Sequence, residues 1–308
     1  MQRSLNLHSA RTGLFMVMLA SVLWGTGNVV AASIYDLAAT NAISIAFLRM
    51  ALSVPALLLV CYFTLGRSMW LLNRQDRPYL LGAGALVALY QAACYASLPK
   101  VGVTIATVLA LCSAPVMVAL LSSIITRERP TVITLAALAC AVVGTVLLVN
   151  VQPSTQQGDV LGGVALALLA GALYAINTLV GRKLGGNGRT HPLQTVTVGF
   201  AFGALLLLVI ALLSGLVLTY PVTGWLRLAY LGLIPTAVGY AMFYTGMRST
   251  SAAAASIATL LEPLTSTIIA VTLLHEPLSP QTLVGGGLLM AAMGVLLYSA
   301  EIKWTHIR

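Results

Sequence analysis

Apolar residues in this chain come in long unbroken runs, and polar residues collect in the short gaps between them. Ten runs are long enough to cross a bilayer. They lie near Gly13–Ala32, Asn41–Phe63, Tyr79–Leu98, Gly102–Ile125, Val132–Val149, Val160–Val180, Leu193–Leu218, Trp225–Met247, Ala252–Leu274 and Thr282–Ser299. A helix needs about 20 mainly apolar residues to cross roughly 30 Å of hydrocarbon. A membrane barrel would show strict alternation, and none is visible. Backbone groups in lipid must bond internally, so the runs predict ten transmembrane helices and an all-α membrane protein.

The pattern is written twice. Thr104–Pro130 reads TIATVLALCSAPVMVALLSSIITRERP, and Ser251–Pro280 reads SAAAASIATLLEPLTSTIIAVTLLHEPLSP. Pro115 precedes Glu128 by 13 residues, and Pro263 precedes Glu276 by 13. The runs that follow end in glycine-led segments at Gly144 and Gly294, 150 residues apart. Gly13, Leu19, Ala20, Leu23 and Trp24 match Gly163, Leu169, Ala170, Leu173 and Tyr174 at the same offset, and Tyr95 matches Tyr244 at 149. Such repeats are read before any other feature. Five helices per copy is an odd number, so the second copy enters the membrane from the opposite side. The expected architecture is two inverted five-helix repeats, a recurrent basis of alternating access. The expected divisions are a terminus at 1–12, repeats at 13–150 and 159–299, an external linker at 151–158 containing Pro153, and a second terminus at 300–308.

Composition changes this picture little. Charged residues make up 7% of the chain, against about 25% in soluble proteins. The net charge of +9 does not form a patch for nucleic acid; it is spread through loops. Arg3, Arg11, Arg67, Arg74, Arg77, Arg127, Arg129, Arg182, Lys183, Arg189, Arg248, Lys303 and Arg308 fall in one set of gaps, and Lys100 and Arg227 in the other. That bias puts both termini in the cytoplasm. The first run is too long for a signal-peptide core and reads as a retained helix. Cys61, Cys94, Cys112 and Cys140 sit inside apolar runs as small hydrophobes. No metal spacing and no phosphate loop appears, so neither metal nor cofactor is expected.

Candidate chemistry is sparse. Glu262 and Arg49 are the ionisable residues inside predicted spans, and each costs at least about 2.5–3.5 kcal/mol at mid-depth unless hydrated or paired. Glu262 shares a face with Ser256, Thr259 and Thr265, and its repeat-mate is Ala114. It either titrates with coupled proton movement, binds a cationic substrate group, or is a protonated acid bonded to a neighbouring helix. Arg49 either pairs with Glu262, attracts a substrate carboxylate, bonds backbone carbonyls, or snorkels outward. Glu128 and Glu276 recur at helix starts, where a carboxylate complements the positive end of the following helix. Pro115 and Pro263 each remove a helix hydrogen bond and are expected hinges or static bends. Trp24 and Asn28, Tyr90, Gln91 and Tyr95, Tyr174, Asn177 and Thr178, and Tyr240 and Tyr244 form matching polar-aromatic stripes on symmetry-related spans. A mostly apolar pocket with a few placed polar groups suits a small molecule. The other reading, an interfacial aromatic belt, fits Tyr35 and Tyr220 better than the deeply placed Trp24 and Tyr174. Gly199-x-x-x-Gly203 and Gly287-x-x-x-Ala291 permit close helix contact, either within the chain or at a dimer seam.

Leu23-Trp24-Gly25, Phe47-Leu48-Arg49, the two proline–glutamate pairs and the ends at Gly144 and Gly294 together resemble the EamA-type branch of the drug/metabolite transporter superfamily. The resemblance runs through both halves. It implies ten helices and a multi-pass carrier of the bacterial inner membrane, usually exporting amino acids or other small metabolites; the small-residue seams leave monomer or homodimer open. With no ATP-binding segment, the expected drive is the substrate gradient or a proton coupled through Glu262. The expected partners are a small-molecule substrate and membrane lipid. A flippase for a lipid-linked or hydrophobic substrate is the alternative. An intramembrane enzyme is remote, because no catalytic cluster appears.

Overall fold

The structure is a computed structural model. It describes residues 2–71, 74–126, scattered positions between 132 and 147, 159–186, 191–247, 249, 258–259, 261–276 and 279–305. The described residues are helical wherever they are regular, with no strand among them. The elements are α1 (Gln2–Tyr35), α2 (Ala42–Leu65), a 3-10 turn (Gly66–Trp70), α3 (Arg77–Thr126), α4 (Val160–Gly186), α5 (Pro192–Ser214), α6 (Val222–Leu231), a π-helical turn (Gly232–Val238), α7 (Gly239–Met247), α8 (Leu261–Leu273) and α9 (Pro280–Thr305). Six stretches among the described residues are long and apolar enough to cross a membrane.

α3 contains the third and fourth predicted spans, joined at Gly102, whose φ of 77° breaks the helix. α6, the π turn and α7 run on as the eighth span. The described positions between 132 and 147, in the fifth predicted span, are helical. Glu128 and Ser256 lie outside the described residues.

Helix ends repeat as the sequence does. Asn41 caps α2, its Oδ1 accepting from Ser44 N at 2.8 Å. His191, 150 residues on, caps α5, with Gln194 Oε1 accepting back from His191 N at 2.9 Å. Reciprocal bonds of this kind satisfy donors that a helix start leaves open. α2 and α5 then end at Gly66 (φ 57°) and Gly215 (φ 91°).

Helix packing also maps onto itself when the halves are exchanged. α1 packs on α7 and α8, in the second half, while α4 packs on α3, in the first. α2 and α5 pack on each other, and α9 lies against α3. Lipid is as apolar as leucine, so association rests on close packing and on polar contacts. The seams are accordingly lined by glycine. A methyl added at Gly84 would collide with the Gly199 backbone, and one at Gly203 would lie 2.8 Å from Gly84 O. Gly199 and Gly203 thus pack internally. Gly287 and Ala291 are exposed, and no described residue lies within 4 Å of the position a Gly287 side chain would take.

Polar links between the halves gather where α1 ends and α4 begins. Lys100 Nζ meets Asp159 Oδ2 at 3.2 Å, Arg227 Nη1 donates to Ser33 O at 2.7 Å, and Asn41 Nδ2 donates to Gly215 O at 2.8 Å. Thr40 and Tyr220 share a hydrogen bond of 2.5 Å. Within the first half, Tyr35 OH donates to Tyr95 O at 2.8 Å. The two residues expected in an interfacial belt are therefore tied into the protein.

Glu276 belongs to the same group of links and corrects one expectation. Its carboxylate does not cap α9, which starts at Pro280. Its Oε1 accepts from Val103 N at 2.6 Å and its Oε2 from Thr104 N at 3.1 Å. These are the open N–H groups where α3 restarts after Gly102. The favoured position for a carboxylate is a helix N-terminus, but the terminus it serves belongs to the other half.

Candidate functional site

The helices bring the two buried ions into one region without pairing them. Glu262 is 8% exposed and Arg49 is 5% exposed. Among the described residues the single ion pair is Lys100–Asp159, at the surface. The expected Arg49–Glu262 pair is therefore absent, and Arg49 neither snorkels nor bonds backbone carbonyls. Its Nε donates to Thr236 Oγ1 at 2.6 Å, and its Nη1 donates to Gln91 Oε1 at 2.7 Å and to Tyr95 OH. The guanidinium carbon also lies 5.5 Å from the Tyr95 ring centre. One side chain from α2 thus holds α3 and the π turn together. Its Nη2 group makes no hydrogen bond to a described residue.

The π turn has a local cause. Pro235 lacks an N–H, which breaks the regular ladder. Thr236 Oγ1 donates to Leu231 O at 2.6 Å and so serves a carbonyl of the preceding helix. π turns inside helices occur often at functional sites. Neither Pro235 nor Thr236 stands out in the sequence, because both lie in an otherwise continuous apolar run.

Glu262 sits in the first turn of α8. The chain turns at Thr259, and Glu262 N bonds Thr259 O at 3.1 Å. Pro263 follows at the third position of α8, where its missing N–H leaves no bond unmade. The backbone at Pro115 stays helical. The acid's described partner is Asn28 on α1, whose Nδ2 donates at 3.4 Å. Glu262 also interacts electrostatically with Arg49, Tyr90, Tyr95, Tyr174 and Tyr240, which places these groups around it.

Aromatic rings complete the surroundings. Trp24 of α1 stands 4.9 Å from Tyr240 and 5.0 Å from Phe243, both on α7. Phe200 of α5 meets Tyr240 edge-on at 4.9 Å. Tyr244 stacks 6.5 Å from Tyr240. Tyr90 of α3 and Tyr174 of α4 lie 5.5 Å apart. Offset and edge contacts at these distances are the favoured aromatic geometries. The Trp24 Nε1 is buried with no described partner. It lies against Gly239, where an added methyl would come within 3.0 Å of it. Asn177 is half-buried on α4, three residues beyond Tyr174.

The predicted residues therefore divide. Trp24, Tyr240 and Tyr244 form one aromatic group, Tyr90 and Tyr174 a second, Asn28 and Glu262 a polar contact, and Gln91 and Tyr95 serve Arg49. Thr236, Phe200 and Phe243 belong here and were not singled out from sequence. The two phenylalanines resemble any lipid-facing residue until their neighbours are known.

Known proteins give the same outline. The profile of the EamA-like transporter family matches residues 11–150 and again 161–299. An uncharacterized transporter of Bacillus subtilis, YwfM, is 32% identical over 92% of each chain. The uncharacterized inner membrane transporter YicL of Salmonella typhimurium is 30% identical over 86% of this chain and 88% of its own. An uncharacterized transporter of Archaeoglobus fulgidus is 29% identical over 93% of this chain and 96% of its own. One crystal structure covers 95% of this chain and 99% of that chain with a TM-score of 0.64; at 18% identity it speaks to the fold alone. With two family matches that together span most of its length, the chain is a member of the EamA-like transporter family, within the drug/metabolite transporter superfamily.

Proposed function

We propose that the protein is a secondary carrier of a small, partly apolar metabolite, such as an amino acid, working by alternating access between two inverted repeats. The repeats take up residues 13–150 and 159–299, with ten helices in all, 151–158 as the external linker, and the termini 1–12 and 300–308 in the cytoplasm. The direction is export from a bacterial cell, across its inner membrane. One observation carries the reading: an acid, a cation and aromatic rings drawn from both halves converge where the halves meet. Such a site suits a ligand with an apolar body and polar ends.

Glu262 is the coupling residue on this reading. Its described contact is one amide at 3.4 Å, too long to hold either protonation state firmly. Intramembrane acids in carriers commonly serve as proton relays. Trp24, Tyr90, Tyr174, Tyr240 and Tyr244 line the path, with Asn28, Gln91, Tyr95 and Asn177 as its polar positions. Arg49 offers its Nη2 end, which bonds no described residue, and Pro115 and Pro263 are the proposed hinges.

The test uses purified protein in proteoliposomes with an imposed pH gradient. A panel of amino acids and small metabolites is first screened for ligands that raise thermal stability, since binding to the folded state stabilises by mass action. Glu262→Gln is expected to lose gradient-driven accumulation of the ligand found while keeping counterflow exchange. Accumulation by Glu262→Gln at the wild-type level would end the coupling role. Trp24→Ala and Tyr174→Ala are expected to weaken transport at unchanged abundance. Wild-type transport by both would remove the aromatic site.

A further inference from the structure

α2 ends with a device that the transport reading does not use. The helix stops at Gly66, and the chain folds into a 3-10 turn. Met69 of that turn is buried beside Cys61 and Leu193. Trp70 remains 70% exposed. Between the turn and α2 lies a recess of about 430 Å³, lined by Pro55, Leu58, Leu59, Tyr62, Met69 and Trp70. Its walls are almost wholly carbon. An occupant gains contact there but no directional polar bonds, which describes a hydrocarbon chain.

Three arginines lie in the turn or just after it in sequence. Arg67 belongs to the turn itself, and Arg74 and Arg77 follow within ten residues of it. All three are exposed, and none forms an ion pair with a described residue. Asp76, the acid among them, is buried and already engaged. An apolar slot walled by a turn that carries one exposed guanidinium and is followed by two more, none of them ion-paired to a described residue, matches an amphiphile with an anionic head. Arginine forks suit phosphate, basic pockets at the membrane surface take anionic headgroups, and Tyr62 and Trp70 suit the interface level.

We propose that this recess seats one anionic phospholipid of the surrounding bilayer. An acyl chain lies in the recess, and the phosphate sits among Arg67, Arg74 and Arg77. The seat is held by both halves of the protein. Gln194 Nε2, at the start of α5, donates to Ser68 O at 3.0 Å and to Met69 O at 3.1 Å. A bound lipid therefore braces the contact between the halves at the arginine-rich end. The proposal needs only the membrane location, and it stands or falls separately from substrate and coupling.

The experiment follows thermal unfolding of the full-length protein in mild detergent by tryptophan fluorescence, with native mass spectrometry alongside. Phosphatidylglycerol, phosphatidylcholine with the same acyl chains, and inorganic phosphate are titrated separately. Expected are a rise of several degrees and one retained lipid per chain with phosphatidylglycerol, at least tenfold weaker retention of phosphatidylcholine, and no shift with phosphate. The triple variant Arg67→Gln, Arg74→Gln, Arg77→Gln is expected to melt like wild type without lipid and to lose the preference. Leu59→Trp, which fills the recess, is expected to lose retention with the arginines intact. Arg67→Gln alone serves if the triple variant does not fold, and is expected to reduce the preference. Equal retention of the two lipids, a shift with phosphate alone, or an unchanged preference in the arginine variants would overturn the proposal.

Discussion

Glu276 offers the sharpest test of how the halves are joined. Glu276→Ala removes a carboxylate from two backbone N–H groups at a helix start. Hydrogen bonds to charged groups are worth about 1.5–3 kcal/mol each. The site is half-buried, so water replaces part of the loss, and a net cost of about 2 kcal/mol agrees with the upper range for lost caps. The expected fall in melting midpoint is roughly 3–6 °C. Glu276→Gln should do no better, because its amide sets an N–H against one of the two donors. Glu276→Asp, one methylene shorter, should recover little. Gly102 supplies the cross-check. Its φ of 77° and ψ of 165° fall in a region open essentially to glycine alone, which costs a residue with a side chain about 1–3 kcal/mol, and a methyl there would lie 2.9 Å from Glu276 Oε1. Gly102→Ala should therefore cost about 1 kcal/mol less in the Glu276→Ala background than alone, as neighbours that share a contact do not add. The assay is fluorescence-monitored unfolding of the wild type and these five variants in one detergent. A Glu276→Ala midpoint within 1 °C of wild type, or a Gly102→Ala cost equal in both backgrounds, would refute the reasoning.

Three more expectations use the same assay. Arg49→Lys keeps the charge but not the fork; it strands bonds to Thr236, Gln91 and Tyr95 and should cost about 2–4 kcal/mol, at about 1–3 kcal/mol per unsatisfied buried group. A wild-type midpoint would mean that Arg49 does not hold α3 to the π turn. Gly84→Ala and Gly232→Ala should destabilise, because the new methyls meet Gly199 backbone and Leu52 Cβ with Arg49 O respectively, whereas the contacts at Gly199 are ordinary and Gly199→Ala should be neutral or better. The reverse order would show that the seam is misread. The Asp159 carboxyl is held below its usual range by the Gly162 N–H and then by Lys100. Its small contribution is present above the ordinary aspartate value of about 4 and is lost as pH falls through the lower folded value. The midpoint difference between wild type and Asp159→Asn should be constant from neutral pH downward and close only in that acid range. A difference that already varies near neutral pH would assign it to another group.

The sequence made the membrane helices legible because their signal is composition over long windows, and the duplication legible because fixed offsets need no knowledge of contacts. It also picked out Arg49 and Glu262, since charge inside an apolar run is conspicuous. What it could not give was facing. Periodicity says which side of a helix a residue occupies, not which helix lies opposite. Hence Glu276 read as a cap for the helix after it, and Arg49, left open between Glu262, a substrate carboxylate, backbone carbonyls and an outward snorkel, was not matched to the threonine, amide and phenol it bonds. Pro235 went unread because one proline in a long apolar run has many possible consequences. Its π turn also carries Thr236, which bonds an arginine 187 residues away, a contact that no local pattern announces. The caps at Asn41 and His191 were readable at the same offset as the other matches, and differ enough in residue type to escape notice.

The repeat in the backbone throws the unequal side chains into relief. Gly84 sits against the Gly199 carbonyl, and Gly232 sits 3.0 Å, measured from an added methyl, from the Arg49 carbonyl. These are the same contact made once at each seam. At one seam the carbonyl belongs to a glycine with no side chain. At the other it belongs to an arginine that reaches Thr236, Gln91 and Tyr95. Likewise Glu262 faces the site from one half where the other has Ala114, and Pro235 breaks a helix whose counterpart has no proline at the matching position. On the alternating-access reading, exchanging the two packings would leave the backbone contacts alike and these side-chain contacts unlike. Two states that differ in this way are not equal in energy, and a ligand or proton shifts them only by its differential affinity. The symmetric frame then supplies the two states, while Arg49, Pro235 and Glu262 set the gap between them, so removing Arg49 should change which state predominates even where the fold survives.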